Sequence, residues 1–178
     1  MTGSCVATGA GGSGGGGDDS PEQVEYGEHY ERVNGKKRLR PNVEYTDPAG
    51  HTYRTDSNGR IINVEGELHL ARGKRNAYAQ SHVGGADRLP TDDGGHLIGS
   101  QFEGSGNIDN LIPQSRTINR AGGEWYRMEQ TWAEALRKGE TVRVNISPHY
   151  SGNSMRPDFF EVIYTIGDAQ TVSRTIVN

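Results

Sequence analysis

The stretch DRLPTDDGGHLIGSQFEGSGNIDNLIPQSRTINRAGGEWYRMEQTW, from Asp87 to Trp132, decides the fold. One histidine, His96, stands behind Gly94 and Gly95 and ahead of the apolar pair Leu97 and Ile98. Asn110 and Asn119 follow, then a run with the period of an amphipathic helix. On a wheel of roughly 100° per residue with Trp125 at zero, Met128, Trp132 and Leu136 fall near about 300°, 340° and 20° and form one apolar stripe. Glu129 falls near about 40° on the same wheel, inside or beside that stripe, while Glu124 and Glu134 face elsewhere. A buried ionised carboxylate is costly without a partner. The residues alone leave Glu129 open: an ion pair with an arginine or an escape at the stripe's edge, or else a hold on a metal or metal-bound water in a cleft under the helix.

Upstream of this stretch, the turn signals DPAG (47–50) and SNG (57–59) flank two β-patterned runs, HTYRTD and RIINVEG. They are predicted to form a hairpin. GKRNAYAQSHVGG (73–85) predicts a short helix stopped by a glycine pair, with Lys74 and Arg75 adding positive charge near the motif. Within the stretch, HLIGSQF and NIDNLIP are predicted as strands or extended loops, and RTINRAG as one or two helical turns. EWYRMEQTWAEALRKG is the strongest helix and ends on Arg137, Lys138 and Gly139. Downstream, TVRVNIS, DFFEVIYTI and QTVSRTIVN alternate as strands do, with GDAQ as a turn before the last. The pattern predicts an α+β fold: an antiparallel sheet with a few helices, one of them prominent.

The chain has 178 residues, enough for one domain with an ordinary core. It opens on MTGSCVATGAGGSGGGGDDSPEQ, which has no periodicity and is dominated by Gly and Ser. Residues 1–41 are therefore expected to be a Gly-rich flexible linker or tail, with the basic GKKRLRPN (35–42) solvated, and 42–178 to be the folded domain. The net charge of −4 argues against a protein held on nucleic acid by many phosphate contacts, though not against an enzyme with a local basic patch. The single cysteine, Cys5, excludes an internal disulfide and a Cys-based zinc site, which suits a reducing cytosol. No apolar run reaches the roughly 18 residues of a membrane-spanning helix. No signal-peptide pattern starts at Met1, so export is expected to draw its address from another part of a longer polypeptide.

Among the six histidines, His96 is singled out by its surroundings. Gly94 and Gly95 allow close approach, and imidazole is the side chain suited to take a proton near neutral pH. No second histidine sits at the spacing of a zinc pair such as HExxH. That favours His96 as a base beside a hard metal held by oxygen. Asn, Glu and water suit Mg²⁺, with Asn110 and Asn119 as candidate amide ligands, although each alone is more often a cap or turn residue.

Taken together, DDGGHLI, GSGNIDNLIPQSRTINR and GGEWYRMEQTWAEAL closely resemble the DNA/RNA non-specific endonucleases of the His-Me finger (ββα-metal) superfamily. The nearest branch resembles the C-terminal nuclease toxin domains of large secreted or contact-dependent bacterial toxins. The resemblance runs from about residue 45 to the C-terminus and takes in YRTDSNGRIINVEGEL and KRNAYAQSHVGGADRLP. It implies a ββα-metal motif with His96 as general base, Asn119 as a direct ligand of one Mg²⁺ (Mn²⁺ substituting), and Glu129 holding metal-bound water. Asn110 would shape the site. Many such relatives carry Asp-Arg-Gly-His, whereas this chain has Asp93-Gly94-Gly95-His96, so another cation must meet the phosphate. Arg88, Arg116 and Arg120 are the candidates.

The implied reaction is attack of water on a phosphodiester of DNA, and of RNA because no 2′-hydroxyl is needed, leaving a 5′ phosphate. Contacts to the backbone alone give little sequence preference. The unperturbed imidazole pKa predicts loss of activity below about pH 6. The resemblance further implies delivery by a larger secreted toxin, action in the target-cell cytoplasm, and a cognate immunity protein in the producing cell. The competing reading is a nucleic-acid-binding module without catalysis, which would need no His96.

Overall fold

The computed structural model describes residues 20–178. Cys5 and most of the expected Gly-rich tail lie outside the described residues. The elements in chain order are β1 (Glu22–Gln23), β2 (Tyr30–Val33), β3 (Lys36–Leu39), β4 (Val43–Thr46), β5 (Thr52–Thr55), β6 (Ile61–Glu67), α1 (Ala77–His82), β7 (Asp92–His96), β8 (Leu111–Ser115), α2 (Arg116–Asn119), α3 (Glu124–Arg137), β9 (Val142–His149), β10 (Phe159–Ile166) and β11 (Val172–Val177). One seven-stranded sheet runs β1-β4-β5-β6-β9-β10-β11, antiparallel except for the β1–β4 pair. Two further ladders stand apart, β2–β3 and β7–β8. The architecture is α+β, and β7, β8 and the helices after them form the ββα unit.

Strand alternation builds the core. Along β9 the buried residues are Val142, Val144, Ile146 and Pro148, and along β10 Phe160, Val162 and Tyr164. Helix α3 lies on this face. Trp125 meets Phe160 edge-on at 5.0 Å, and Trp132 meets Tyr164 at 5.5 Å and Phe102 at 6.2 Å. The helix is therefore clamped between the sheet and the loop after β7, and its second turn is fixed over that loop.

The amino-terminal boundary differs from the expectation. Residues 20–41, assigned by composition to the linker, carry three strands and bury His29. The His29 ring accepts from Gly27 N–H at Nδ1 (3.0 Å), so Nε2 carries the hydrogen and donates to Asp109 (3.2 Å). Tyr26 and Ser105 also donate to Asp109, at 2.8 and 2.7 Å, and the His29 ring stacks on Tyr45 at 4.0 Å. Two buried polar groups with complementary partners dock this segment onto the loop before β8. GKKRLRPN is not a solvated linker either: Lys36–Leu39 is β3, with Leu39 buried.

Of the two readings of HLIGSQF, strand or extended loop, the loop is the one found, because β7 ends at His96. Leu97 and Ile98 are fully buried in the loop that follows. Among the described residues, no helix is long and apolar enough to cross a membrane.

Candidate active site

β7 and β8 pair antiparallel, with His96 opposite Leu111 and Asp93 opposite Gln114. β8 passes directly into α2, whose N-cap is Ser115, and the chain then turns through Gly122 and Gly123 into α3. This path sets His96 at the end of a strand, Asn119 at the end of a short helix and Glu129 on the second turn of a long one. All three line one cleft of about 650 Å³, together with Asp93, Arg75 and Arg88.

The glycines of the motif are required by packing. A Cβ on Gly94 would lie 2.2 Å from the Gln80 carbonyl oxygen, and one on Gly95 2.1 Å from Gln114 Oε1. Helix α1 thus occupies the space of any side chain at position 94, where related motifs carry arginine.

The three key side chains are unusual in what they lack. His96 makes no hydrogen bond with a described residue, and its Nε2 is buried. Burial, and then the charge of Arg75, push its pKa down from 6.5 to about 4. Glu129 forms no ion pair among the described residues, so the arginine partner that spacing allowed is not there. Its pKa is raised to about 7 by burial. The indole N–H of Trp125, one turn earlier, opposes this without reversing it and makes no hydrogen bond of ordinary length. Asn119 Nδ2 donates to Asp93 Oδ2 at 3.2 Å, while its Oδ1 accepts nothing from the described residues. The amide is turned so that its acceptor end is the free one.

Asp93 organises this side of the cleft. Arg120 grips it through Nε and Nη2 at 2.9 and 2.8 Å, and Arg116 through Nε at 3.2 Å. The Arg120 guanidinium, with the Asn119 and Arg116 hydrogen bonds, holds its carboxyl down at about 2 despite partial burial. Of the three arginines put forward for phosphate contact, only Arg88 lines the cleft, and its guanidinium already donates to the carbonyls of Gln80 and Asp92. Arg116 and Arg120 serve Asp93 instead. Arg75 lines the cleft without a hydrogen bond or ion pair to any described residue. Sequence reasoning noted only its charge. Gln80, Gln101, Tyr126 and Gln130 also line the cleft, and nothing in their spacing pointed there.

Asn110 is fully buried and spent on structure. It accepts from Ile98 N–H (2.9 Å) and the Tyr53 hydroxyl (3.0 Å), and donates to the carbonyls of Ile98 (2.9 Å) and Ser105 (2.7 Å). It pins both ends of the loop after His96. Asn110→Ala leaves several buried polar groups unpaired and is expected to destabilise the fold by about 3 kcal/mol, read as a lower urea midpoint with an unchanged slope.

The donor set fits a hard divalent cation. It offers one amide oxygen and one unpaired carboxylate beside a roomy, polar cleft. No cluster of three or more His, Cys, Asp or Glu that could hold a metal occurs among the described residues. Few protein ligands and much water is the coordination Mg²⁺ favours.

The chain is similar to several known proteins. The type VII secretion system protein EssD of Staphylococcus aureus, in strains USA300 and Newman, is 50% identical over 159 residues, covering 86% of this chain. This chain spans 26% of the length of those relatives. NucA from Streptococcus agalactiae, solved with magnesium bound, shares the fold with a TM-score of 0.56 at 17% identity over 84% of this chain and 82% of its own. The Sda1 nuclease, solved with zinc bound, shares it with a TM-score of 0.54 at 17% identity over 71% and 75%. The family model for DNA/RNA non-specific endonucleases matches residues 41–168, from just before β4 to just after β10, with the whole cleft inside it. The chain belongs to the DNA/RNA non-specific endonuclease family.

Proposed function

We propose that this chain is a Mg²⁺-dependent endonuclease domain that hydrolyses the backbone of DNA, and of RNA, without reading sequence. The observation that carries the reading is the convergence of three unsatisfied groups in one cleft: a neutral imidazole, a free amide oxygen and an unpaired, half-buried carboxylate. Such groups are costly in a merely structural role.

In the proposed mechanism His96 stays neutral, with its ring hydrogen on the sealed Nε2. Its Nδ1 accepts a proton from the attacking water. Asn119, through Oδ1, and Glu129, directly or through water, would hold the cation, Mg²⁺ or in its place Mn²⁺. When bound, the cation supplies positive charge against a phosphate oxygen and the departing 3′ oxygen. Asp93 keeps the Asn119 oxygen aimed, and Arg116 and Arg120 keep Asp93 ionised. The magnesium bound in NucA supports the choice of metal.

The domain would act as the effector segment of a longer secreted protein. The relatives are named for a type VII secretion system, and the chain matches about a quarter of their length. Its target would be nucleic acid in the cytoplasm of a recipient cell, and a cognate immunity protein would guard the producer. The test is incubation of supercoiled plasmid with the protein and Mg²⁺, with and without chelator. Nicked and linear products that vanish with chelator are expected. A shifted but intact plasmid would instead favour a binding module.

A further inference from the structure

Three hollows meet around one basic segment. The catalytic cleft shares Arg75 and Ala77 with an outer groove of about 850 Å³, whose wall includes Arg72, Lys74 and Asn76. A third hollow, of about 650 Å³, shares Arg72, Gly73 and Arg75 with that groove and Ser100 and Gln101 with the cleft. The strap 71–76 therefore forms a continuous bank leading away from His96.

The strap's cations are free. Arg72, Lys74 and Arg75 are exposed and make no ion pair or side-chain hydrogen bond with a described residue. Other arginines are committed, for example Arg60 to Asp56, Arg143 to Glu67 and Arg156 to Asp92. Of the two carboxylates on the outer wall, Asp47 is buried and hydrogen-bonded to His51 at 2.9 Å, so two negative charges stand against three positive ones. In a chain of net charge −4, this is a local reversal of sign beside the site.

The strap's backbone is fixed rather than loose. Gly73 N–H donates to Ser100 O at 2.6 Å, Ala71 N–H to Gln101 O at 3.2 Å, and Glu103 N–H to Ala71 O at 2.9 Å. A Cβ on Gly73 would sit 2.5 Å from Gly104 O, so only glycine allows the strap to lie so close to the loop that Asn110 pins. Asn76 closes the far end by capping α1 and donating to Asn107 at 2.9 Å. The same loop that follows His96 thus sets the position of these cations. From 72 to 75 an extended chain spans roughly 10 Å. That is long enough to reach neighbouring phosphates of one strand.

We propose that the 72–75 strap is the track for the polynucleotide flanking the cleaved bond, with Arg75 at the cleft edge and Arg72 and Lys74 on successive phosphates along the outer groove. The proposal rests on the nuclease reading above and says where the polymer runs. Because the contacts are to phosphate, they add affinity without sequence preference.

The test uses the full chain carrying His96→Ala, so that DNA is not consumed. A fluorescein-labelled duplex of about 20 base pairs is titrated by anisotropy between about 50 and about 200 mM KCl, where each phosphate contact adds roughly 0.9 to the salt slope. Adding Arg72→Ala and Lys74→Ala is expected to flatten the plot of log K against log salt by about 1.8, so the parent loses about 12-fold more affinity over that range. Removing two charges elsewhere, with Lys36→Ala and Arg174→Ala, is expected to leave the slope as it was. Both residues are exposed and outside all three hollows. An unchanged slope in the strap variant overturns the proposal, as does an equal flattening in the control pair. If the chain with His96 intact nicks plasmid while the strap variant keeps its slope, the track alone fails. If that chain cuts nothing with Mg²⁺, the nuclease reading fails and takes the track with it.

Discussion

His96→Ala is expected to lower Mg²⁺-dependent plasmid cleavage by about 10³-fold, the range typical for loss of a general base. The thermal midpoint should hardly move, because the imidazole makes no hydrogen bond to any described residue. A variant that keeps more than about a tenth of wild-type activity would remove His96 from the chemistry. The pH profile gives a second check. Burial and the Arg75 charge hold the imidazole pKa near 4, so the base stays neutral well below its ordinary range. At saturating metal, kcat/KM, which reports the free enzyme, should therefore be level down to about pH 5 and fall only toward pH 4. The fall near pH 6 anticipated from an unperturbed imidazole is moved down because partial burial and the nearby Arg75 charge both disfavour the imidazolium. A midpoint close to 6.5 would mean that the ring is solvated in the working enzyme.

That pH shift marks what the chain reveals when read alone. Helix α3 and its inward Glu129 follow from spacing, since the stripe of Trp125, Met128 and Trp132 admits no other face. The strands β9 and β10 are legible because each has one wet face and one buried face, whereas β11 buries Ile176 alone and is read from its β-branched residues. The hairpin β2–β3 carries an equally plain local signal. Asn34-Gly35, both at positive φ, is a strong signal for a two-residue turn, but the glycine-rich composition before it drew the boundary too far along. The arginines show a deeper limit. Arg88, Arg116, Arg120 and Arg75 all lie within reach of the motif in sequence, and their roles depend on which carboxylate or carbonyl each meets. Asp93 takes two of them and Asp92 takes Arg156, 64 residues away. No local pattern encodes that partition. Nor does any pattern show that α1 fills the space beside Gly94, where a side chain would run into the Gln80 backbone.

Glu129→Gln is expected to stabilise the metal-free protein at alkaline pH and to erase its response to metal. In the fold the carboxyl titrates at about 7 against 4.5 when free. The folded state therefore binds more protons than the unfolded state between those values. Its contribution is whole below pH 4.5 and is lost as pH rises to 7. The loss amounts to roughly 3 kcal/mol at about 1.36 kcal/mol per unit. His96 works in the opposite sense, its contribution disappearing as pH falls from 6.5 toward 4. The two slopes offset each other in the wild type, and the difference between wild type and Glu129→Gln isolates the carboxylate. Urea unfolding in chelator should show the variant ahead by roughly 3 kcal/mol at pH 8 and level with wild type near pH 4. Saturating Mg²⁺ should raise the wild-type midpoint at pH 8, since a cation relieves the buried charge, and leave the variant where it was. Equal stability at pH 8 would show that Glu129 reaches solvent and carries no penalty. An equal gain from metal in both proteins would place the cation elsewhere. A carboxylate that costs the empty fold this much, and recovers it only with a cation, would explain why the helix keeps an acid beside its apolar stripe.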